Sequence, residues 1–280
     1  MDALLSLLKS TVGSEQAQAL VLFLVFLPPF FFAYWAVKRG MRITLRPITA
    51  YETLKRLLAQ AAEAGRPVHL SLGIAGIGKS NTSDTMAGLT VLDYVADRAA
   101  ISASPPIVTL ADPTALPVAQ DLLRRAYSRH GYPEEYQPAR ARFVAPDPLL
   151  GTGQSPNPAL YASGQIDGFP YAAGTLPLLD PRTLIANVMI GQFGDEFLLL
   201  AETGANRHLE QIGGTSTVGV LPFVYTSVAH PLFGEEIYAG GAYLADKPAH
   251  LSSLLAQDIM RWFVIVIILA AVALRATGWI

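Results

Sequence analysis

Apolar positions are spread unevenly along the chain. Two unbroken runs lie near its ends, and between them short apolar stretches alternate with helical patterns. The first run, 17–37, reads AQALVLFLVFLPPFFFAYWAV and holds no charged residue; the second, 262–280, holds only Arg275. Roughly 20 residues at about 1.5 Å each cross a hydrocarbon core of ~30 Å, so both runs are long enough. The pattern therefore predicts one transmembrane helix over 17–38 and a second within 250–280. Pro28 and Pro29 would kink the first, a defect that membrane helices absorb. Tyr34, Trp35, Lys38 and Arg39 read as an interfacial exit, and Trp262 and Trp279 as the two interfaces of the second. Residues 250–261 have helical spacing without a breaker, which predicts one continuous helix entering the second run. Residues 1–16, with Leu4, Leu5, Leu7, Leu8 and Val12, read as a surface segment. A secretory leader fits the first run less well, because nothing basic precedes it and no small-x-small cleavage site follows. Lys38, Arg39, Arg42 and Arg46 outweigh Lys9 across the first run. The positive-inside rule then places the central domain in the cytoplasm and both termini outside.

Within 46–246 the periodicity predicts helices at 51–64, 83–100, 115–130 and 181–193, and strands at 69–72, 107–111, 142–145, 197–201 and 218–226. Strands alternating with helices of this length imply βαβ units and a mostly parallel sheet. The expected fold is α/β, a Rossmann-like three-layer sandwich flanked by the two terminal helices. Residues 146–177 are rich in Gly, Pro, Ser and Asn and lack periodicity. A connection that long is either functional or covers a partner surface.

Composition narrows the chemistry. The 280 residues carry a net charge of −2, too little to attract nucleic acid. The absence of cysteine excludes disulfides, thiolate metal sites and a cysteine nucleophile. The sharpest local motif is GIAGIGKS, Gly73 to Ser80, which satisfies the phosphate-loop pattern G-x-x-x-x-G-K-[ST] after a predicted strand. In such a loop the peptide N–H groups around Gly73, Gly76 and Gly78 cradle phosphate, Lys79 reaches the terminal oxygens, and Ser80 holds Mg²⁺. Asp112, at the end of IVTLAD, could supply the metal-linked carboxylate. Against this, the sequence after Lys79 is Ser80-Asn81-Thr82-Ser83-Asp84, poor helix and good cap, so the helix is expected near Ser83 rather than at the lysine. Asp112 also precedes Pro113, a pairing repeated at Asp147-Pro148 and Asp180-Pro181, which capping explains without metal. A plain glycine-rich turn competes with nucleotide binding.

Other features carry less. Gly213-Gly214-Thr215-Ser216-Thr217, before a predicted strand, could bind an anion through its backbone N–H groups but reads more simply as a tight connection, and no G-x-S-x-G elbow is present. The histidines 69, 130, 208, 230 and 250 show no metal-ligand spacing. Glu235 and Glu236 read as a solvated helix start. Small residues at Ala87-Gly88, Ala186, Gly191 and Ala239–Ala242 suggest close helix packing, within the domain or between copies.

The segments HLSLGIAGIG (69–78) and AGLTVLDYVADRA (87–99), with the two flanking runs, resemble a group of bacterial two-span membrane proteins defined only as a domain of unknown function. The resemblance implies architecture and no catalytic residues. The first functional expectation is a membrane-anchored domain with a non-enzymatic assembly or scaffold role. Its partners would be the lipid bilayer and further copies or a membrane complex. The alternatives are a membrane-tethered nucleotide-binding protein or NTPase using 73–80 with Mg-nucleotide, and a small-ligand sensor with 146–177 as lid.

Overall fold

The computed structural model describes residues 14–41, 45–78, 81–102, 104–144, 168–245 and 247–276. Its elements in chain order are α1 (Ser14–Lys38), α2 (Thr49–Ala64), β1 (His69–Gly73), α3 (Thr82–Ser102), β2 (Ile107–Leu110), α4 (Leu116–Arg129), β3 (Ala141–Phe143), α5 (Gly168–Thr175), β4 (Ala186–Gln192), α6 (Glu196–Asn206), β5 (Glu210–Thr215), α7 (Leu221–Ser227), β6 (His230–Phe233), α8 (Gly240–Ala245) and α9 (Pro248–Ala276). The chain divides into a central unit, Pro47–Ala245, and a terminal unit made of Met1–Arg46 and Asp246–Ile280.

Among the described residues of the central unit, six strands form one sheet in the order β3-β2-β1-β4-β5-β6. Every pairing is parallel. The strands are covered on both faces, which is why they read as apolar runs rather than alternating ones. Leu70, Leu72, Val108, Leu110, Val188, Ile190, Ile212 and Leu232 point into one core with α2, α3 and α4. Ala111 and Met189 point into the other, with Tyr171 of α5, Phe197 and Leu200 of α6, and Val224 of α7. Each buried Leu, Val, Ile or Phe side chain contributes about 1.5–3 kcal/mol, so the two cores rather than local propensity hold the layers.

Local sequence explains the first half well. The α2 stripe of Tyr51, Leu54, Leu57 and Ala61 is buried, and the helix ends where Gly65 takes φ 63° and its N–H returns to the Ala61 carbonyl. The second half departs from the periodicity. Residues 181–193 hold not a helix but β4, nearly all of it buried, where a doubly covered strand has no alternation to betray it. Residues 197–201 belong to α6, whose buried Phe197, Leu200, Ala201 and Gly204 follow helical spacing. Residues 218–226 form a 3₁₀ turn and α7 instead of a strand. The supposed glycine turn at Gly213-Gly214 is the middle of β5. A Cβ at Gly213 would press on Phe197 and Val228, and one at Gly214 on Leu232 and Ile237, so both faces are packed too closely for a side chain.

The terminal unit requires the larger correction. Among the described residues, no helix is long and apolar enough to cross a membrane. This overturns the two predicted transmembrane helices, and with them the membrane-flanked fold class, the bilayer as partner and the two-pass sidedness with a cytoplasmic domain. A run of apolar letters is not by itself an apolar helix of spanning length. The first run lies in α1, which contains Pro28 and Pro29 and ends on Lys38. The second lies in α9, whose first half carries His250, Gln257, Asp258 and Arg261. The two helices pack against each other, with Ala33, Ala36, Ser252 and Ala256 buried. The expected surface segment at 1–16 falls almost wholly outside the described residues.

Candidate functional site

The strand order reverses between β1 and β4: from β1 the chain works outward through β2 and β3, then returns to the other side of β1. In open parallel sheets the crevice beyond the carboxyl ends of the strands at such a reversal is where ligands bind. The glycine-rich loop leaves β1 at this point. Gly73 takes φ +75°, and a Cβ there would overlap the Gln192 carbonyl, so β1 and β4 approach more closely than any side chain allows. The register shifts between Ser71 and Gly73, and the Ile74 N–H donates to Gln192 O at 2.9 Å.

The loop is tied down from several sides. The Asp112 carboxylate, at the end of β2, accepts from the Thr114 N–H (2.9 Å) and hydroxyl (2.5 Å), and it lies where a Cβ on Gly76 would be. Thr114 Oγ1 accepts from the Ile77 N–H at 2.8 Å, and Thr82 Oγ1 from the Gly78 N–H at 2.9 Å. The Thr85 hydroxyl donates to the Gly76 carbonyl at 3.3 Å. Among the described residues, the N–H groups of Ala75 and Gly76 have no acceptor, although both residues are buried. Buried peptide N–H groups are almost always paired, so two without an acceptor in succession are donors open to a ligand or to water.

Two further carboxylates stand at the same edge. Asp84, in the first turn of α3 and buried, accepts hydrogen bonds from Ser216 Oγ (2.6 Å), just past β5, and from the Tyr238 hydroxyl. Burial and the Asp84 carboxylate both push the Tyr238 phenol up. Glu196, at the start of α6, accepts from the Gly194 N–H at 2.8 Å and is buried.

Beneath this edge a buried polar chain crosses four strands. Gln211 Nε2 donates to the Ala201 carbonyl (2.8 Å), so its Oε1 accepts from Asn187 Nδ2 (3.2 Å). Asn187 Oδ1 is then the acceptor for His69 Nδ1–H at 2.7 Å, which leaves Nε2 to accept from the Thr109 hydroxyl at 3.0 Å. Tyr171 of α5 closes the chain against Thr109 (2.8 Å) and Ser71 (2.5 Å). Burial lowers the His69 imidazole to about 4, the Asn187 contact opposes this, and Arg142 adds to it. Burial raises the Tyr171 phenol to about 12. His69 is therefore a neutral structural histidine.

Of the residues singled out in sequence, Gly73, Gly76, Gly78 and Asp112 are brought together, Asp112 as loop clasp and as cap of the turn at 113–115. Lys79 and Ser80 lie outside the described residues, as do most of 146–177 and Asp147-Pro148. The helix after the loop is recorded from Thr82. No group of three or more His, Asp or Glu residues able to hold a metal occurs among the described residues. Asp84, Ser216, Tyr238 and Glu196 were not legible in the sequence. Asp84 passed as a capping residue, and its two partners lie 132 and 154 positions away.

Fold and edge together define a parallel α/β domain with a glycine-rich loop at the strand reversal. The chain belongs to the family called Domain of unknown function (DUF6754), which matches residues 9–150 and 159–280. That membership replaces the two-span membrane family expected from sequence, since no described helix qualifies as a span. No curated protein and no solved structure matches the chain.

Proposed function

We propose that the central unit binds a phosphate-bearing ligand of the nucleotide class at the carboxyl end of β1. The observation that carries this reading is the pair of N–H groups at Ala75 and Gly76 that find no acceptor among the described residues, in a loop whose amides at 74, 77 and 78 are committed to protein acceptors. These two donors would take the phosphate, and Lys79, next in the chain after Gly78, would offset its charge. Asp84 and Asp112 are carboxylates at the same edge and repel a bare polyphosphate, so the ligand would enter as its Mg²⁺ complex, with Ser80 and Asp112 on the metal side.

A native-state ligand stabilises by mass action, about 2.7 kcal/mol at a hundred times its dissociation constant. Thermal unfolding with Mg-ATP and Mg-GTP should therefore show a saturable rise in Tm that is lost in Lys79→Ala and without Mg²⁺. A flat response at millimolar nucleotide would end the proposal. A second reading, a hydroxyl-rich small ligand held by carboxylates, is favoured by Asp84, Asp112 and Glu196, all buried at this edge. It predicts a Tm rise that needs neither Mg²⁺ nor Lys79.

A further inference from the structure

The glycine-rich loop and the far side of the sheet's carboxyl edge are joined through one turn of helix. Successive residues of a helix point about 100° apart, so neighbours in the first turn of α3 serve different sides. The Thr85 hydroxyl reaches the loop, donating to the Gly76 carbonyl at 3.3 Å. Asp84 serves the other side, where its carboxylate accepts from Ser216 Oγ (2.6 Å) and from the Tyr238 hydroxyl. Ser216 directly follows β5, and Tyr238 lies in the 3₁₀ turn after β6, 234–239. β5 is the second strand from β1, so at about 4.8 Å per step Ser216 stands roughly 10 Å along the edge from the loop.

Tyr238 is held in place. Its hydroxyl is bound to a buried carboxylate, and its neighbours Ile237 and Ala239 are buried in the core that α3 shares. The Tyr51 hydroxyl fixes the turn from behind by bonding the carbonyls of Glu236 (2.8 Å) and Ile237 (3.2 Å). The residue is nevertheless 43% exposed. With the hydroxyl engaged, that area is chiefly ring carbon, and a fixed, open aromatic ring is a surface for stacking. Phe169 is also exposed, but its α5 neighbours Tyr171 and Ala172 belong to the other core, across the sheet from α3.

We propose that the Tyr238 ring is the platform on which the base of a nucleotide stacks while its phosphates lie on the Ala75 and Gly76 amides. This rests on the reading of the loop as a phosphate site. The edge offers amide donors, then a carboxylate with hydroxyls, then an aromatic ring. A nucleotide carries phosphate, a hydroxyl-bearing sugar and a flat base in the same order. Stacking uses a π-face that every base possesses, so adenine and guanine would be held alike.

Isothermal titration calorimetry of the full chain compares Mg-ATP and Mg-GTP with Mg-tripolyphosphate, which has the phosphates and no base. Tyr238→Ala should weaken both nucleotides about tenfold or more and leave tripolyphosphate unchanged. Tyr238→Phe keeps the ring and loses the Asp84 bond, so it should fall between wild type and the alanine variant. Circular dichroism checks each fold. In the wild-type protein itself, a fluorescent aminopurine nucleoside triphosphate should be quenched on binding, and a bound but unquenched base would overturn the proposal. Equal nucleotide affinity in wild type and Tyr238→Ala, with tripolyphosphate still bound, would overturn it and leave the phosphate site standing. Loss of tripolyphosphate together with nucleotide in that variant would also overturn it, because the ring would then support the loop rather than the base. Binding of none of the three to wild type would remove both readings.

Discussion

At the scale of single residues, chemistry read from letters and chemistry read from surroundings diverge most at the charged and polar positions. Asp112 looked like a metal ligand or a cap, and the structure makes it the clasp of the Gly76 turn. His69 looked like a scattered histidine and is the centre of a buried chain of hydrogen bonds. Its pH behaviour follows directly. Unfolded, the imidazole titrates near its ordinary 6.5; folded, burial brings it down to about 4. Protonation thus favours the unfolded chain. Stability should be undiminished by this group above pH 6.5, decline as the pH falls toward 4, and be lower by about 3 kcal/mol below that. Urea unfolding at a series of pH values checks this. The variant His69→Gln should lose that part of the acid slope, and an unchanged slope would mean another group carries it.

At the scale of elements, glycines decide how close the layers come. The small residues at Ala87-Gly88 and Gly240 suggested packing within the domain or between copies, and the structure uses both glycines inside it. A Cβ on Gly88 of α3 would lie 2.5 Å from the Ile190 carbonyl of β4, and one on Gly240 of α8 would sit 3.0 Å from Val91. Gly88→Ala should therefore force α3 off the sheet and destabilise by about 1–3 kcal/mol, despite alanine's better helix propensity. Chemical denaturation measures the sign, and a stabilised variant would show that the helix can shift without loss. The same closeness hid β5 in the sequence, because Gly213-Gly214 inside a strand is indistinguishable from a turn until α6 and the turn after β6 are seen against its faces. α6 was misread for the opposite reason: FLLLA is apolar in a row, and only the burial of Gly204 two turns later discloses the helical period.

At the scale of the molecule, both cores close within 47–245. That stretch produced alone should unfold in one cooperative urea transition with far-UV circular dichroism of an α/β domain, and a broad, non-cooperative loss of signal would count against it. The sequence by itself determined the alternation of strand and helix through β3, the helix stop at Gly65 and the place of the glycine-rich loop after β1. These are local matters of period, capping and backbone freedom, and a few neighbouring residues settle them. Only the tertiary structure decided that the order is 3-2-1-4-5-6, that β4, β5 and β6 are strands, and that Asp84, Ser216 and Tyr238 meet. It also decided that the terminal apolar runs are two mutually packed helices rather than spans of sufficient apolar length. The reason is physical: pairing order and convergence depend on contacts between residues far apart in the chain, and no local period records which distant surface will cover a face.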